Sequence, residues 1–254
     1  MKHALIEFDG LVQNVTVHED NKVLLANGIK LAEDQVIWLP PKHGTVIALG
    51  LNYADHASEL EFKAPEEPLI FIKSATSFIG HRQQTFRPAN IEYMHYEAEL
   101  VAVIGKTARK VSRDDAMEYV QGYTLCNDYA IRDYLENYYR PNLRVKSHDT
   151  LSPIGPYIID RDDVEDPHKL ELRTLVNGEV RQEGSTADMI FSIPFLIEYL
   201  SAFMTLQPGD MISTGTPKGL SDVQPGDEVV IEIEQVGSLT NYIISEEDYF
   251  KGQL

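Results

Sequence analysis

Short apolar runs separated by turn-forming residues recur along this chain, and they restrict it to a fold built mainly from β-strands. The turn-forming segments are Asp9-Gly10, Asn27-Gly28, Asn177-Gly178 and two Pro-Gly-Asp segments at residues 208–210 and 225–227. Asn-Gly and Asp-Gly pairs favour tight hairpin turns because both residues tolerate a left-handed backbone. The sequence therefore predicts antiparallel strands around these pairs, and further strands at residues 211–214 and 228–233 after the Pro-Gly-Asp turns.

Few segments carry a helical signal. Residues 193–204 have apolar side chains at helical spacing, which predicts a helix with one core-facing side. That side consists of Phe195, Leu196, Tyr199, Leu200 and Phe203. Ser112 as a cap, with Asp114 and Asp115 in the first turn, predicts a second helix that ends near Val120. Because strands and helices do not alternate regularly, we expect an α+β, strand-rich fold with few helices, and neither a doubly wound sheet nor an eight-unit barrel.

The length of 254 residues allows one large domain, or one domain with a small appendage. Pro40-Pro41 ends the first group of short strands. We therefore predict a small β-rich N-terminal region at residues 1–43 and a main domain at residues 44–254.

The chain is acidic, with a formal net charge of −18 and a sequence pI near 4.7. Such a surface repels phosphate backbones and anionic membranes, so neither nucleic acid nor a membrane is an expected partner. An anionic substrate would need a metal ion or basic side chains in its cleft. Cys126 is the only cysteine, which excludes an intrachain disulfide and favours a cytoplasmic location. Its apolar strand and neighbouring acid argue against a catalytic thiol.

Three acidic residues form a candidate metal site. Glu97 and Glu99 begin an apolar strand, and they point to the same side because side chains alternate along a strand. Asp128 ends the next apolar strand, so the three carboxylates converge if the two strands are neighbours. Mg²⁺ and Mn²⁺ prefer six oxygen ligands, which leaves positions for the two oxygens of a 2-oxo acid. The alternative is that both glutamates line the solvated face of an edge strand.

A cation is expected beside such a cluster, because three carboxylates and an anionic substrate outweigh one divalent ion. Lys146 is the first candidate, and Lys73, which follows an apolar run, is a second. The alternative for each is an ordinary surface lysine. Thr216 follows the predicted strand at residues 211–214 and offers a hydroxyl group at a strand end, although the segment also reads as a simple turn.

His56 and Glu59 form a candidate acid/base pair. They are three residues apart in a short predicted helix, so the carboxylate can orient the imidazole ring and raise its basicity. Such a pair suits proton transfer at a carbon next to an enolate. The alternative is a solvent-exposed helical pair that contributes a few tenths of a kcal/mol to stability.

Several motifs together resemble the fumarylacetoacetate hydrolase superfamily over about residues 44–245. They are ALGLNYADH at residues 48–56, YEAEL at 96–100, NDYAIRD at 127–133, Lys146-Ser147 and TGTP at 214–217. Two further segments, YMHY at 93–96 and YLENYYRPNLRVK at 134–146, are similar to a branch of that superfamily whose members decarboxylate and isomerise intermediates of homoprotocatechuate degradation.

The resemblance implies a mixed β-roll catalytic domain, usually dimeric, with Mg²⁺ or Mn²⁺ on Glu97, Glu99 and Asp128. It also implies that Lys146 and Thr216 face the ligand, and that His56 and Glu59 form the catalytic pair on a lid. We expect Lys146 to act in catalysis as well as in substrate binding, and Lys73, the second cation candidate, to bind the substrate. The implied substrate is 5-oxopent-3-ene-1,2,5-tricarboxylate, which is decarboxylated to 2-hydroxyhepta-2,4-diene-1,7-dioate and isomerised to 2-oxohept-3-ene-1,7-dioate.

Two departures qualify the resemblance. Leu135 stands where relatives often carry a glutamine, which argues against hydrolysis of a C–C bond. The two-activity branch has two such domains, whereas this chain has one, so we expect a homodimer or pairing with a homologous subunit. The alternatives are an acylpyruvate hydrolase or oxaloacetate decarboxylase on the same scaffold, and a non-catalytic module that binds 2-oxo acids.

Overall fold

The computed structural model describes residues 1–18, 22–55, 65–135 and 143–251. Its strands are β1 (Lys2–Phe8), β2 (Leu11–Val17), β3 (Val23–Leu24), β4 (Lys30–Leu31), β5 (Ile37–Leu39), β6 (Val46–Gly50), β7 (Leu69–Ile72), β8 (Phe78–Ile79), β9 (Gln84–Arg87), β10 (Met94–His95), β11 (Ala98–Ile104), β12 (Val120–Asn127), β13 (Ala130–Ile131), β14 (Ser152–Asp160), β15 (Glu171–Val176), β16 (Glu179–Ser185), β17 (Met211–Ser213), β18 (Glu228–Ile233) and β19 (Gly237–Ser245). Its helices are α1 (Leu143–Lys146), α2 (Ile193–Phe203) and α3 (Glu246–Lys251).

The strands form two large mixed sheets and one small one. The first sheet has the order β4-β3-β2-β1-β14-β12-β11-β17-β6-β7, with β5 paired to β1 and β8 paired to β14. The second has the order β16-β15-β18-β19-β9, and β10 pairs with β13. Since β7 ends the first sheet while β8, soon after it in the chain, returns to β14, this sheet curls round on itself. The strand-rich mixed fold predicted from the sequence is confirmed.

The predicted hairpin turns are present. Asp9 and Gly10 join β1 to β2 with φ angles of 52° and 71°, and Asn177 and Gly178 join β15 to β16 with φ angles of 52° and 80°. Positive φ at both turn residues matches the right-handed twist of the strands, which is why Asn or Asp followed by Gly is favoured there.

The main core lies between the curled sheet, the second sheet and α2. Leu100, Ala102 and Ile104 of β11 pack into this core, whereas Val101 and Val103 belong to a separate cluster on the opposite face of the strand. The side that carries the odd-numbered residues of β11 is therefore the side on which Glu97 and Glu99 lie.

Two helical predictions need correction. The segment from Ser112 to Val120 contains only a 3₁₀ helix, Ala116–Tyr119, because the Ser112 hydroxyl bonds the Asp115 side chain and Val120 already belongs to β12. In α2, which is otherwise as predicted, Phe203 is 57% exposed and does not belong to the core. It is the last residue of the helix, whose buried positions end at Ser201.

The N-terminal strands join the rest of the fold through β1, where Lys2 pairs with Ile159 and His3 with Ile158 of β14. They also have their own apolar cluster, which includes Ile6, Trp38 and Tyr157. The division at residue 43 remains a prediction. Among the described residues, no helix has both the length and the apolar character needed to cross a membrane.

Candidate metal centre

The register between β11 and β12 places the acidic side chains together. Glu99 pairs directly with Cys126, and Ala98 pairs with Asn127. Continued by one residue, this antiparallel register sets Asp128 opposite Glu97, and the Asp128 amide donates to the Glu97 carbonyl at 3.0 Å. Since side chains alternate along each strand, Glu97, Glu99 and Asp128 project from one face of the sheet.

The three carboxylates are close enough to share one ion. One oxygen from each of Glu97, Glu99 and Asp128 lies within 4.8 Å of the others, and all three side chains are buried. The alternative of a solvated edge-strand face is wrong, because β11 lies between β12 and β17 inside the sheet. Buried carboxylates at this spacing repel one another unless cations lie between them.

Two buried lysines supply part of the compensating charge. The Lys146 Nζ atom lies 2.6 Å from Glu97 Oε2 and 3.0 Å from Asp128 Oδ2. The Lys73 ammonium group contacts Asp128 Oδ1 and donates to the Lys146 carbonyl. Both lysines are buried, so the alternative of surface lysines is wrong. Three carboxylates and two ammonium groups leave one negative charge, and neither lysine makes an ion pair with Glu99.

Glu99 therefore has the least compensated carboxylate in the cluster. Its Oε2 atom accepts a hydrogen bond from Ser213, whereas its Oε1 atom has no hydrogen-bond partner in the described part of the chain. Burial, assisted by the charges of Asp128 and Glu97, raises the pKa of Glu99 to about 8. A buried carboxylate oxygen without a hydrogen-bond partner, in a cluster with two further acids, fits a divalent cation. The positive charge of the cation would offset both the burial of the carboxylate and its repulsion by the other two acids.

The backbone around the cluster is held rigidly. Asn127 Oδ1 accepts from the Glu97 amide at 3.0 Å, and Asn127 Nδ2 donates to Asn241 of β19 at 3.3 Å. Thr214 donates to the Leu100 carbonyl through both its amide and its hydroxyl group, at 3.0 and 2.8 Å. These bonds connect the metal-site strands to their neighbours and fix the positions of the acids.

Thr216 lies in the loop that follows β17. Gly215 precedes it with a φ angle of +83°, and a Cβ atom there would lie 3.0 Å from the Asn52 side chain, so glycine is needed for the close approach. The Thr216 side chain is 2% exposed, and its hydroxyl accepts from Gln182 at 2.9 Å. Its substrate-binding role, like that of Lys73 and Lys146, remains a prediction.

His56 and Glu59 lie outside the described residues. The chain that leads to them is anchored at Asn52, which follows β6. The Asn52 side chain donates to Thr214 and Phe191 carbonyls and accepts from the Phe191 amide at 2.8 Å. Tyr53 comes next and is fully buried.

Two residues of the site were missed from the sequence. His95 Nδ1 lies 3.6 Å from Glu97 Oε1, and the alternation of side chains that pairs Glu97 with Glu99 also predicts His95 on that side. Ser213, which donates to Glu99, carries no such signal, because its position depends on the pairing of β17 with β11.

The Cys126 thiol is buried beside the cluster. Burial, with the negative charges of Asp128 and Glu99, raises its pKa well above the ordinary value for cysteine. A thiol in this environment stays protonated and does not act as a nucleophile, as predicted.

Comparisons with known proteins agree with this geometry. The sequence profile described as fumarylacetoacetate (FAA) hydrolase C-terminal matches residues 45–244. The 4-hydroxyphenylacetate degradation bifunctional isomerase/decarboxylase of Salmonella dublin is 66% identical over 240 residues, which are 90% of this chain and 56% of that protein. The chain thus spans about half the length of this curated relative.

Two solved structures share the fold. The 5-carboxymethyl-2-hydroxymuconate delta-isomerase of Mycobacterium smegmatis has a TM-score of 0.84 and 38% identity, over 97% of this chain and 99% of that one. The maleylpyruvate hydrolase of Sphingobium sp. SYK-6, in complex with manganese(II) and pyruvate, has a TM-score of 0.82 and 28% identity, over 96% and 99%. With its curled mixed sheet and its profile match over most of its length, this chain belongs to the fumarylacetoacetate hydrolase family.

Proposed function

We propose that this chain is a divalent-metal-dependent carboxy-lyase and isomerase of 4-hydroxyphenylacetate (homoprotocatechuate) degradation. It decarboxylates 5-oxopent-3-ene-1,2,5-tricarboxylate, isomerises 2-hydroxyhepta-2,4-diene-1,7-dioate, or does both. The observation that carries the proposal is the buried cluster of three carboxylates, with its unpartnered Glu99 oxygen, in a chain 66% identical to a bifunctional isomerase/decarboxylase.

In the proposed site Glu97, Glu99 and Asp128 hold Mg²⁺ or Mn²⁺. Such an ion supplies positive charge that stabilises negative charge on the oxygens of a 2-oxo acid. The cluster has three carboxylates and only two ammonium groups among the described residues, which supports this assignment. The related hydrolase structure that contains manganese(II) and pyruvate supports it as well.

The side chains of this protein have separate proposed roles. Loss of CO₂ leaves an electron pair that spreads through the conjugated enone to the 2-oxo oxygen, and the Lys146 ammonium group favours that charge. Isomerisation removes the enol proton and adds a proton at C5, and we assign this transfer to His56 with Glu59 orienting it. Thr216 and Lys73 are proposed to bind the substrate.

The test is turnover of both substrates by EDTA-treated protein, with and without added Mg²⁺ or Mn²⁺. We expect CO₂ release from the tricarboxylate, loss of dienol absorbance from the heptadienedioate, or both, only after metal is restored. Glu97→Ala should abolish turnover. Turnover that persists without metal or in Glu97→Ala would contradict the proposal, as would failure of the metal-restored protein on both substrates.

The closest alternative is an acylpyruvate hydrolase or oxaloacetate decarboxylase on the same scaffold. The maleylpyruvate hydrolase with a TM-score of 0.82 favours it, whereas Leu135 in place of a glutamine does not. Assays with acetylpyruvate and oxaloacetate beside the tricarboxylate distinguish the two. A non-catalytic module would bind a 2-oxo acid with Mn²⁺ but turn over none of these compounds.

The relative's greater length supports a paired assembly. We propose that this chain forms a homodimer, or pairs with a homologous subunit, in place of the longer chain of the relative. We also propose that it works in the cytoplasm, for which its single cysteine is the argument.

A further inference from the structure

Gln182 of β16 connects the Thr216 loop to the second sheet. Its side chain is 1% exposed. Its amide group contacts the Thr174 hydroxyl at 2.7 Å, the Thr216 hydroxyl at 2.9 Å and the Pro217 carbonyl at 2.8 Å. All three contacts are buried, so a mismatch of donors and acceptors here would be costly.

The chemistry of these contacts fixes the orientation of the amide. The Pro217 carbonyl can only accept a hydrogen bond, so the amide atom that faces it must be Nε2. Oε1 then faces Thr174, whose hydroxyl must donate. The donors and acceptors around the Gln182 amide therefore allow only one of its two possible orientations.

This orientation also determines what the Thr216 hydroxyl can do. An amide nitrogen only donates, so the Thr216 oxygen accepts from Gln182 and its own proton points elsewhere. Within the described ranges that proton has no acceptor. Water cannot readily serve as one, because the Thr216 side chain is only 2% exposed. A buried hydroxyl with an unused proton suits an acceptor that arrives with a ligand.

The Thr216 loop is tied to the metal-site strands. Two residues earlier, Thr214 bonds the Leu100 carbonyl, and Ser213 bonds the Glu99 carboxylate. The Thr216 hydroxyl therefore follows, by three residues in the same segment, the Ser213 side chain that bonds the acidic cluster.

We propose that Gln182, oriented by Thr174, is a positioning residue that presets the Thr216 hydroxyl as a hydrogen-bond donor to a carboxylate or keto oxygen of the substrate. The inference rests on the proposed function, because it assigns Thr216 to the substrate site. It adds a specificity rule: this subsite favours groups that present an acceptor oxygen, such as a carboxylate or a keto group, over groups that present only N–H donors there.

The test compares oxalate binding to the Mn²⁺-loaded protein by calorimetry for Gln182→Glu, Gln182→Met and Thr216→Val. In Gln182→Glu the carboxylate accepts the Thr216 proton, so we expect affinity for oxalate to fall by about tenfold or more. Gln182→Met leaves the hydroxyl free to rotate, and we expect a smaller loss. In the Thr216→Val background both Gln182 changes should have no further effect on affinity, because they act through Thr216.

Additive losses in the double variants, or wild-type affinity in Gln182→Glu, would overturn the inference. Mn²⁺ affinity measured without oxalate should be unchanged in every variant. If Gln182→Glu does not fold, Thr174→Val, which releases the amide, replaces it, with a loss of oxalate affinity expected and wild-type affinity contradicting the inference.

Gln83→Met is the matched control, since the Gln83 amide is also bonded through both its oxygen and its nitrogen, to the backbone of Gly80 and Trp38, but lies in the turn before β9. We expect it to bind oxalate with wild-type affinity. The proposed function fails separately, if the wild-type protein binds no oxalate in the presence of Mn²⁺.

Discussion

At the scale of single residues, the candidate site depends on charges that the fold buries at a cost. Asp128 contacts both Lys73 and Lys146, and Glu97 contacts Lys146, whereas among the described residues Glu99 bonds only the Ser213 hydroxyl. Without a cation, Glu99 opposes folding. With one, it becomes a ligand, so a change at this position should move stability and metal affinity in opposite directions.

We expect Glu99→Gln to make the metal-free protein more stable at pH 7, by about 1 kcal/mol or more, because the raised pKa of Glu99 makes folding at that pH depend on the uptake of a proton, which glutamine does not need. The same change should weaken Mn²⁺ binding by about a hundredfold. Chemical unfolding and Mn²⁺ calorimetry measure the two effects. The control is Glu179→Gln, whose side chain is 73% exposed and should alter neither. A variant that is less stable without metal, or that binds Mn²⁺ normally, would contradict the charge assignment.

Lys73 gives the opposite prediction for stability. Lys73→Met should lower the free energy of unfolding of the metal-free protein by about 3 to 5 kcal/mol, because Asp128 loses a buried partner. Urea unfolding measures this, with Lys251→Met, on the surface helix α3, as the control. A loss below 1 kcal/mol would show that Lys73 does not support the cluster.

At the scale of elements, the pairing of strands decides which predicted residues meet. Side chains alternate along β11, and an apolar strand precedes Asp128. Both are local patterns, so the convergence of the three acids could be predicted from the sequence. The positions of Ser213, Gln182 and Lys73 depend on the order of strands in the sheets, which no local pattern encodes. The helix predicted from Ser112 to Val120 was wrong for a related reason: Val120 is the first residue of β12 and pairs with Ile104 of β11.

His81 connects the N-terminal strands to β19. Its Nδ1 atom accepts a hydrogen bond from the Thr240 amide at 3.0 Å. Its ring makes an edge contact with the Trp38 ring, and its Nε2 atom lies 3.9 Å from Glu33 Oε2. Burial, with a smaller effect of the Arg82 charge, lowers the pKa of His81 from 6.5 to about 4. The unfolded chain therefore binds more protons between these two pH values, and stability falls as the pH drops from about 6.5 to 4.

We expect His81→Asn to remove this part of the pH dependence, because the asparagine carbonyl can accept from Thr240 but does not titrate. Urea unfolding at pH 7.5 and at pH 4.5 should show a loss about 2 to 3 kcal/mol larger in the wild-type protein than in the variant. Equal losses in both proteins would contradict the role assigned to His81.

At the scale of the whole molecule, the relation to a longer protein predicts an assembly. Light scattering coupled to size-exclusion chromatography should give twice the chain mass of 28.7 kDa for the purified protein, if a second copy takes the place of the relative's additional length. A monomer that turns over substrate alone would contradict the homodimer. A monomer that becomes active only with a homologous subunit would support the paired form instead.

The proposed function depends on one metal site, in which Glu97, Glu99 and Asp128 together bind a divalent ion that holds a 2-oxo acid. The most direct measurement is an anomalous difference map from crystals of this protein grown with Mn²⁺ and oxalate. We expect one strong peak in contact with all three carboxylates, with oxalate oxygens completing its coordination. The absence of a peak between these carboxylates at saturating Mn²⁺ would contradict the metal site.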